Sequence, residues 1–357
     1  MRLWLSRRWK ILLLIFMIIF LFTWSFISKK LFHHVSKYPQ TSYTATKWSL
    51  KTEIRRGSDL HYHSQFHSIT DPKPLTNLCP HVFIIGSRKG GTTSLYQYLS
   101  AHPHFNGIRL DWGPVAGETW WLSQEYDENK VSEYIQLFHH EEGFMTGEAT
   151  VDYLVNCKVP RRLRTLCGLH AKIIMLLRDP THRFISDYYM RLHINTKRYY
   201  PGSDFNTSAS LSETIEREYN KFITRAHRQF NSTNKHIFFA ADWKKLKCLF
   251  REAQNLFYEG LYYVHVQNWL SSYPPQNILI VPSGALFSDT VATVAGVMEF
   301  VGLEKLSVSK MEDITRSIYN YGSYDRSSIK EKDIKRLNEL YRPFNQQLLH
   351  LLKWEKF

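Results

Sequence analysis

Cysteine is scarce in this chain, four in 357 residues, and no segment repeats another. The lack of repeats speaks against a solenoid or propeller, and four cysteines are too few to replace an apolar core in a domain of this size. Acidic residues are also in short supply. Against 46 Lys and Arg there are 32 Asp and Glu, a formal net charge of +14, which predicts an acidic partner. Long hydrophobic runs are missing apart from one, Ile11 to Ile27. As a helix that run rises about 26 Å, enough to span a thin bilayer.

Arg2, Arg7, Arg8 and Lys10 precede the run, Lys29 and Lys30 follow it, and no small-x-small cleavage site comes after. The charge bias predicts a cytosolic tail over 1–10, a single uncleaved transmembrane helix over 11–27, and a luminal remainder. Luminal placement removes nucleic acid as the acidic partner and leaves sulfated or uronate-bearing glycans. Candidate basic stripes are Arg161, Arg162 and Arg164, then Lys244, Lys245 and Lys247. Residues 28–78, rich in Ser, Thr, His, Lys and Tyr and ending in Asp71-Pro72-Lys73-Pro74, read as a stem. His61, His63 and His67 lie there without a Cys or carboxylate cluster, so no metal site is expected. Sequons at Asn206 and Asn231 fit a secretory chain. Three full disulfide pairings can be drawn; the expected one joins Cys157 to Cys167 across a short local loop and leaves Cys79 for Cys248.

Residues 79–357 suffice for one large α/β domain. Val82 to Ile85 reads as a buried strand, Gly86 to Gly91 as a tight turn, and Thr92 to Ala101 as a helix with Leu95 and Leu99 on one face. Lys172 to Leu177 and Asn277 to Val281 read as further strands, and Thr181 to His193 as a helix. Strands alternating with helices predict a parallel sheet flanked by helices, with a P-loop-like turn after its first strand. The turn is not a Walker A box, because its lysine, Lys89, precedes Gly90 and Gly91. It still suits an anion: amides freed by the glycines point out of a helix N-terminus, with Lys89 and the hydroxyls of Thr92, Thr93 and Ser94 around them.

A second anion site is expected where the Lys172–Leu177 strand ends. Arg178 leaves its carboxyl end and Ser186 follows eight residues later in the next helix. Many nucleotide-binding loops have a Mg²⁺-binding carboxylate at that strand end; a guanidinium there suits a second phosphate instead. The ligand expected is a nucleotide with two separate anionic ends and no obligatory metal.

On these residues the chain resembles the Golgi carbohydrate sulfotransferases that use 3′-phosphoadenosine 5′-phosphosulfate (PAPS). GSRKGGTTSLYQYLSAHP resembles their 5′-phosphosulfate loop and LRDPTHRFISDYY their 3′-phosphate motif. GETWWLS, GEATVDYL, EGLYYVHVQNWLSSYPPQNILIV and LYRPFNQQLLHLL extend the likeness over most of the domain. The paired tryptophans, GEA and YRPFN are most like N-acetylgalactosamine 4-sulfate 6-O-sulfotransferase, whereas GSRKGGT is more like the heparan sulfate 3-O-sulfotransferases. The resemblance implies that Lys89, Gly90, Gly91, Thr92 and Thr93 bind the 5′-phosphosulfate, that Arg178 and Ser186 bind the 3′-phosphate, and that Arg88 is also among the cofactor-binding residues. It further implies that Lys89 and Glu118 act in catalysis, and that the protein is a single-pass type II Golgi membrane enzyme using PAPS as co-substrate and no metal. The acceptor it implies is an acidic glycan of chondroitin or dermatan type, with heparan the alternative.

Two lysines of the family pattern are missing, replaced by Gly117 before Glu118 and by Ala149 after Glu148. Without its lysine Glu118 is expected to titrate high, and Gly117→Lys to lower it. Glu148 and His193 are the next candidates for the base. Trp120 and Trp121 read equally as core or as sugar platform, and Asn320-Tyr321-Gly322-Ser323 as a loop over the nucleotide. A nucleotide kinase or NTPase, and a non-catalytic glycan-binding membrane protein, are the competing functional classes.

Overall fold

The structure, a computed structural model, describes residues 54–57, 60, 74–76, 78–108, 117–124, 126–194, 204–230, 243–250, 254–319 and 324–357. All lie in one compact unit, Ser49–Phe357. The span expected at 11–27, most of the stem, His61, His63, His67, Asn231 and the loop 320–323 fall outside the described residues. Among the described residues no helix is long and apolar enough to cross a membrane.

Six strands form one sheet: β1 (Arg55–Arg56), β2 (Val82–Gly86), β3 (Phe105–Gly107), β4 (Met145–Glu148), β5 (Lys172–Leu177) and β6 (Ile278–Pro282), in the order β1-β6-β5-β2-β4-β3. The five from β2 to β6 run parallel, as expected. The sheet is nevertheless mixed, because Arg55 and Arg56 pair antiparallel with Ile280 and Leu279. That edge strand lies inside the expected stem. Two residues of high polarity carry no periodicity to read, and their backbone pairing depends on an edge more than two hundred residues away.

The apolar runs of β2, β5 and β6 are continuous because both faces are covered. Phe83, Ile85, Ile173, Met175, Ile278 and Ile280 face one core, with α3 (Val159–Cys167), α6 (Tyr262–Leu270) and the end of α8 (Glu331–Leu352). Val82, Ile84, Ile174, Leu176, Leu279 and Val281 face the other, against Leu95 and Leu99 of α1 (Thr92–Ser100) and α7 (Thr290–Val301). A third cluster joins α4 (Pro180–His193), α5 (Leu211–Phe230) and α8. The short α2 (Val131–Ile135) packs Tyr134 into the first core.

The disulfides differ from the expected pairing: Cys79 joins Cys167 and Cys157 joins Cys248. Cys157 and Cys167 lie at opposite ends of α3, whose nine residues rise about 13 Å, beyond the ~7 Å limit for a bridge. The pairing of Val82 with Lys172 instead sets the segment before β2 beside the end of α3, where Leu75 and Thr76 also hydrogen-bond to Thr165 and Leu166.

Candidate active site

The chain crosses from one side of β2 to the other between β4 and β5, and the carboxyl ends of these strands deliver the candidate residues, as open α/β sheets do at such a switch. Ser87–Gly91 connects β2 to α1. Lys89 and Gly91 have φ of +65° and +100°. A Cβ on Gly90 would come within 2.8 Å of the Leu176 and Ser87 carbonyl oxygens, so the turn closes only with glycine there. Neighbouring strand ends hold the loop. The Ser87 amide and hydroxyl donate to the Leu176 carbonyl (2.7 and 2.8 Å), Ser283 Oγ donates to the Gly90 carbonyl (2.7 Å), and Arg178 Nη1 donates to the Lys89 carbonyl (3.2 Å).

No side chain caps the N-terminus of α1 and its first turn carries no acid, leaving its partial positive charge to a ligand. Thr92 is buried and Thr93 half-buried at its start. Lys89 rests with Nζ 3.5 Å from Met190 Sδ and, among the described residues, pairs with no carboxylate. Burial lowers its pKa; the charge of Asp187 opposes the shift and Arg178 and Arg88 add to it. An ammonium held this way gains most from an incoming anion. Arg178 is half-buried at the end of β5, and Ser186 is buried on α4.

Arg88 is placed differently. Its guanidinium is buried, donating to Asp152 Oδ1 and, over 3.3 Å, to Glu259 Oε2. Asp187 and Glu259 also take Arg191 (Nε to Asp187 Oδ1 3.1 Å, Nη2 to Glu259 Oε1 3.1 Å) and Arg183 (Nη1 to Asp187 Oδ2 3.1 Å). Three arginines thus meet three carboxylates in one buried network. Burial raises Glu259, whereas Asp187 is driven well below the carboxylate range by the arginines around it despite its burial. Sequence reasoning missed Asp152, Arg183, Asp187, Arg191 and Glu259. The signal available was the i, i+4, i+8 spacing of Arg183, Asp187 and Arg191 on one helix face.

Glu118 is 7% exposed and its pKa is pushed up to about 8. Burial is the main cause; Asp152 and Glu148 push the same way, and Arg88 and a hydrogen bond from the Val151 amide push back. Arg88 therefore supplies the cation near Glu118 that the neighbouring sequence positions lack. Gly117 has φ +89°, and a Cβ there would sit 2.5 Å from the Tyr96 ring. A lysine at 117 has no room.

Glu148, an alternative base, is already engaged. It accepts from Thr119 Oγ1 (2.6 Å), Thr150 Oγ1 (2.6 Å), Tyr134 OH (2.5 Å) and Tyr153 OH (3.2 Å). Four donors fill its lone pairs, and the bond to Thr119 pins the Glu118 segment to β4. His193, the other alternative, is exposed at the end of α4. Arg162 is committed as well, donating to the carbonyls of Leu122 (2.6 Å) and Ser123 (3.2 Å). Among the described residues no group of three or more His, Cys, Asp or Glu is placed to hold a metal.

Residues 79–335 match the family model described as a sulfotransferase domain. The chain belongs to the sulfotransferase family. Among its relatives, the human heparan sulfate glucosamine 3-O-sulfotransferase 3B1 is 27% identical over 79% of this chain and 64% of its own length. Human carbohydrate sulfotransferase 15 is 25% identical over 78% of this chain and 54% of its own. The chain thus spans about half to seven tenths of the length of these and similar curated relatives. A sulfotransferase from Alicyclobacillus acidocaldarius shares the fold, with a TM-score of 0.50 and 21% identity over 78% of this chain and 97% of that one. Within this sulfotransferase domain the strand-end loop, Arg178 and Ser186 follow the carboxyl ends of β2 and β5, and Glu118 lies beside the carboxyl end of β4, where the Ala149 amide donates to the Gly117 carbonyl (2.7 Å).

Proposed function

We propose that this sulfotransferase moves a sulfuryl group from PAPS to a hydroxyl of a glycan by in-line displacement. The observation that carries the reading is Glu118, a buried carboxylate raised to about 8 beside Arg88 of the phosphate loop. A carboxylate of that basicity is matched to taking a proton from a sugar hydroxyl near neutral pH. Lys89, the loop amides and the hydroxyls of Thr92 and Thr93 suit the 5′ end of the donor, where charge builds on the bridging oxygen as adenosine 3′,5′-bisphosphate leaves. Arg178 and Ser186 suit its 3′-phosphate. Arg88 acts from behind the loop, holding its charge between Asp152 and Glu259 and away from direct phosphate contact.

The acceptor is read as a glycosaminoglycan. The tryptophan pair and the YRPFN ending support a chondroitin or dermatan chain; the similarity to heparan sulfate 3-O-sulfotransferases supports heparan as the second reading. The proposal includes an uncleaved type II Golgi anchor at 11–27. The test is incubation of the full-length protein with labelled PAPS and chondroitin, dermatan and heparan chains, with and without chelator. Label on one chain class, insensitive to chelation, is expected. ATP turnover dependent on Mg²⁺, or glycan binding without affinity for PAPS, would sink the proposal in favour of a kinase or a binding protein.

A further inference from the structure

Trp120 lies two residues beyond Glu118 with φ +53°, in the left-handed region that a bulky side chain ordinarily avoids. The backbone is held there from several sides. Its amide reaches Thr150 Oγ1 (3.4 Å), and its carbonyl accepts from the Ser123 amide (3.0 Å), Ser123 Oγ (3.0 Å) and the Gln124 amide (2.8 Å). Its neighbours turn inward. Thr119 bonds to Glu148, and Trp121, 6% exposed, stacks on Tyr134 at 4.4 Å, whose own hydroxyl bonds to Glu148. Trp120 is left half-buried between them, and among the described residues its indole has no ring, cation or hydrogen-bond partner.

Core packing accounts for Trp121 and not for Trp120. A strained conformation persists only where its surroundings over-determine it, and such positions gather at ligand clamps. We propose that Trp120 is the platform for the acceptor, taking the C–H face of a pyranose ring on its indole while a hydroxyl of the bound chain reaches Glu118. The electron-rich indole face attracts the polarised C–H bonds of a sugar, and the uncharged ring face is the one part of an acidic glycan that needs no cation. The proposal rests on the reading of Glu118 as the base.

The test uses the full-length protein, saturating PAPS, and chondroitin 4-sulfate or N-sulfated heparosan as acceptor, whichever is sulfated. Trp120→Ala should raise the acceptor KM about tenfold while the Kd for adenosine 3′,5′-bisphosphate stays unchanged, and Trp120→Phe should recover most of the loss. Trp120→Gly should melt at or above the wild-type temperature, because glycine relieves the backbone. An unchanged acceptor KM in the alanine variant, or a glycine variant melting well below wild type, would show a packing residue and overturn the proposal. Should the alanine variant fail to fold, hydroxyl-radical footprinting of the wild type decides: the acceptor chain, and not adenosine 3′,5′-bisphosphate, should protect Trp120. Protection together with an active Glu118→Gln variant would discard the base and keep the platform. An inactive Glu118→Gln variant with Trp120 unprotected would do the reverse.

Discussion

Arg88 and Asp152 form a buried ion pair, and both of its charges act on Glu118, the cation lowering its pKa and the carboxylate raising it. With Glu118 in its proposed role as base, the pair would set the working pH. Asp152→Asn removes the repelling charge and leaves Arg88 less neutralised, so the acidic limb of the activity profile should move to lower pH. The same change breaks a buried pair and should cost about 3–5 kcal/mol of stability. Activity profiles taken below the melting range check the first effect and thermal denaturation the second.

Glu118→Gln keeps shape and one hydrogen bond but loses the basic oxygen. Turnover should fall about 10²–10⁴-fold while binding of adenosine 3′,5′-bisphosphate persists. Near-normal turnover would send the search elsewhere, although Glu148 is already saturated with donors.

Stability offers an independent check on the same group. The folded Glu118 titrates near 8, whereas an unfolded glutamate titrates at about 4.3, so the native state holds the proton between those values. The stabilisation is full below the unfolded value and is lost as pH rises through about 8. Denaturation of wild type and Glu118→Gln should therefore diverge with rising pH, the wild type losing ground between about pH 5 and pH 9. Parallel curves would show that Glu118 titrates normally.

Arg178→Ala should weaken adenosine 3′,5′-bisphosphate at least tenfold more than adenosine 5′-monophosphate in calorimetric titration. Some loss for both is expected, since Arg178 also supports the Lys89 carbonyl. Equal loss would withdraw its assignment to the 3′-phosphate.

Gly117→Lys, which from the sequence alone should lower the acidic limb, cannot report on charge here. With φ +89° and the Tyr96 ring 2.5 Å from where a Cβ would sit, even Gly117→Ala should destabilise by about 1–3 kcal/mol. A melting temperature equal to wild type would contradict that crowding.

Non-reducing peptide maps should join Cys79 to Cys167 and Cys157 to Cys248. Replacing either pair with serine should cost about 2–5 kcal/mol.

Several elements were legible in the chain itself. The three central strands are unbroken β-branched and apolar runs, and a buried parallel strand needs nothing from its neighbours to announce that pattern. The positions of the glycine loop and of Arg178 were also readable, because each directly follows a strand end, and Ser186 follows in the next helix, whose start Asp179-Pro180 marks. Backbone sterics at Gly90 and a helix N-terminus at Thr92 are local causes with local signatures.

What the sequence could not decide is how distant groups share charge and space. Arg88 was expected among the cofactor-binding residues because it stands in the loop; folding brings it Asp152 from 64 positions away and Glu259 from 171 positions away, and it is buried against them. Glu118 was visible as a carboxylate, but its basicity comes from desolvation and from the charges of Asp152 and Glu148, partly offset by Arg88. The two tryptophans look alike in the chain. Only the stacking of Trp121 on Tyr134 and the left-handed backbone of Trp120 separate them, because burial and backbone strain are properties of the packed whole.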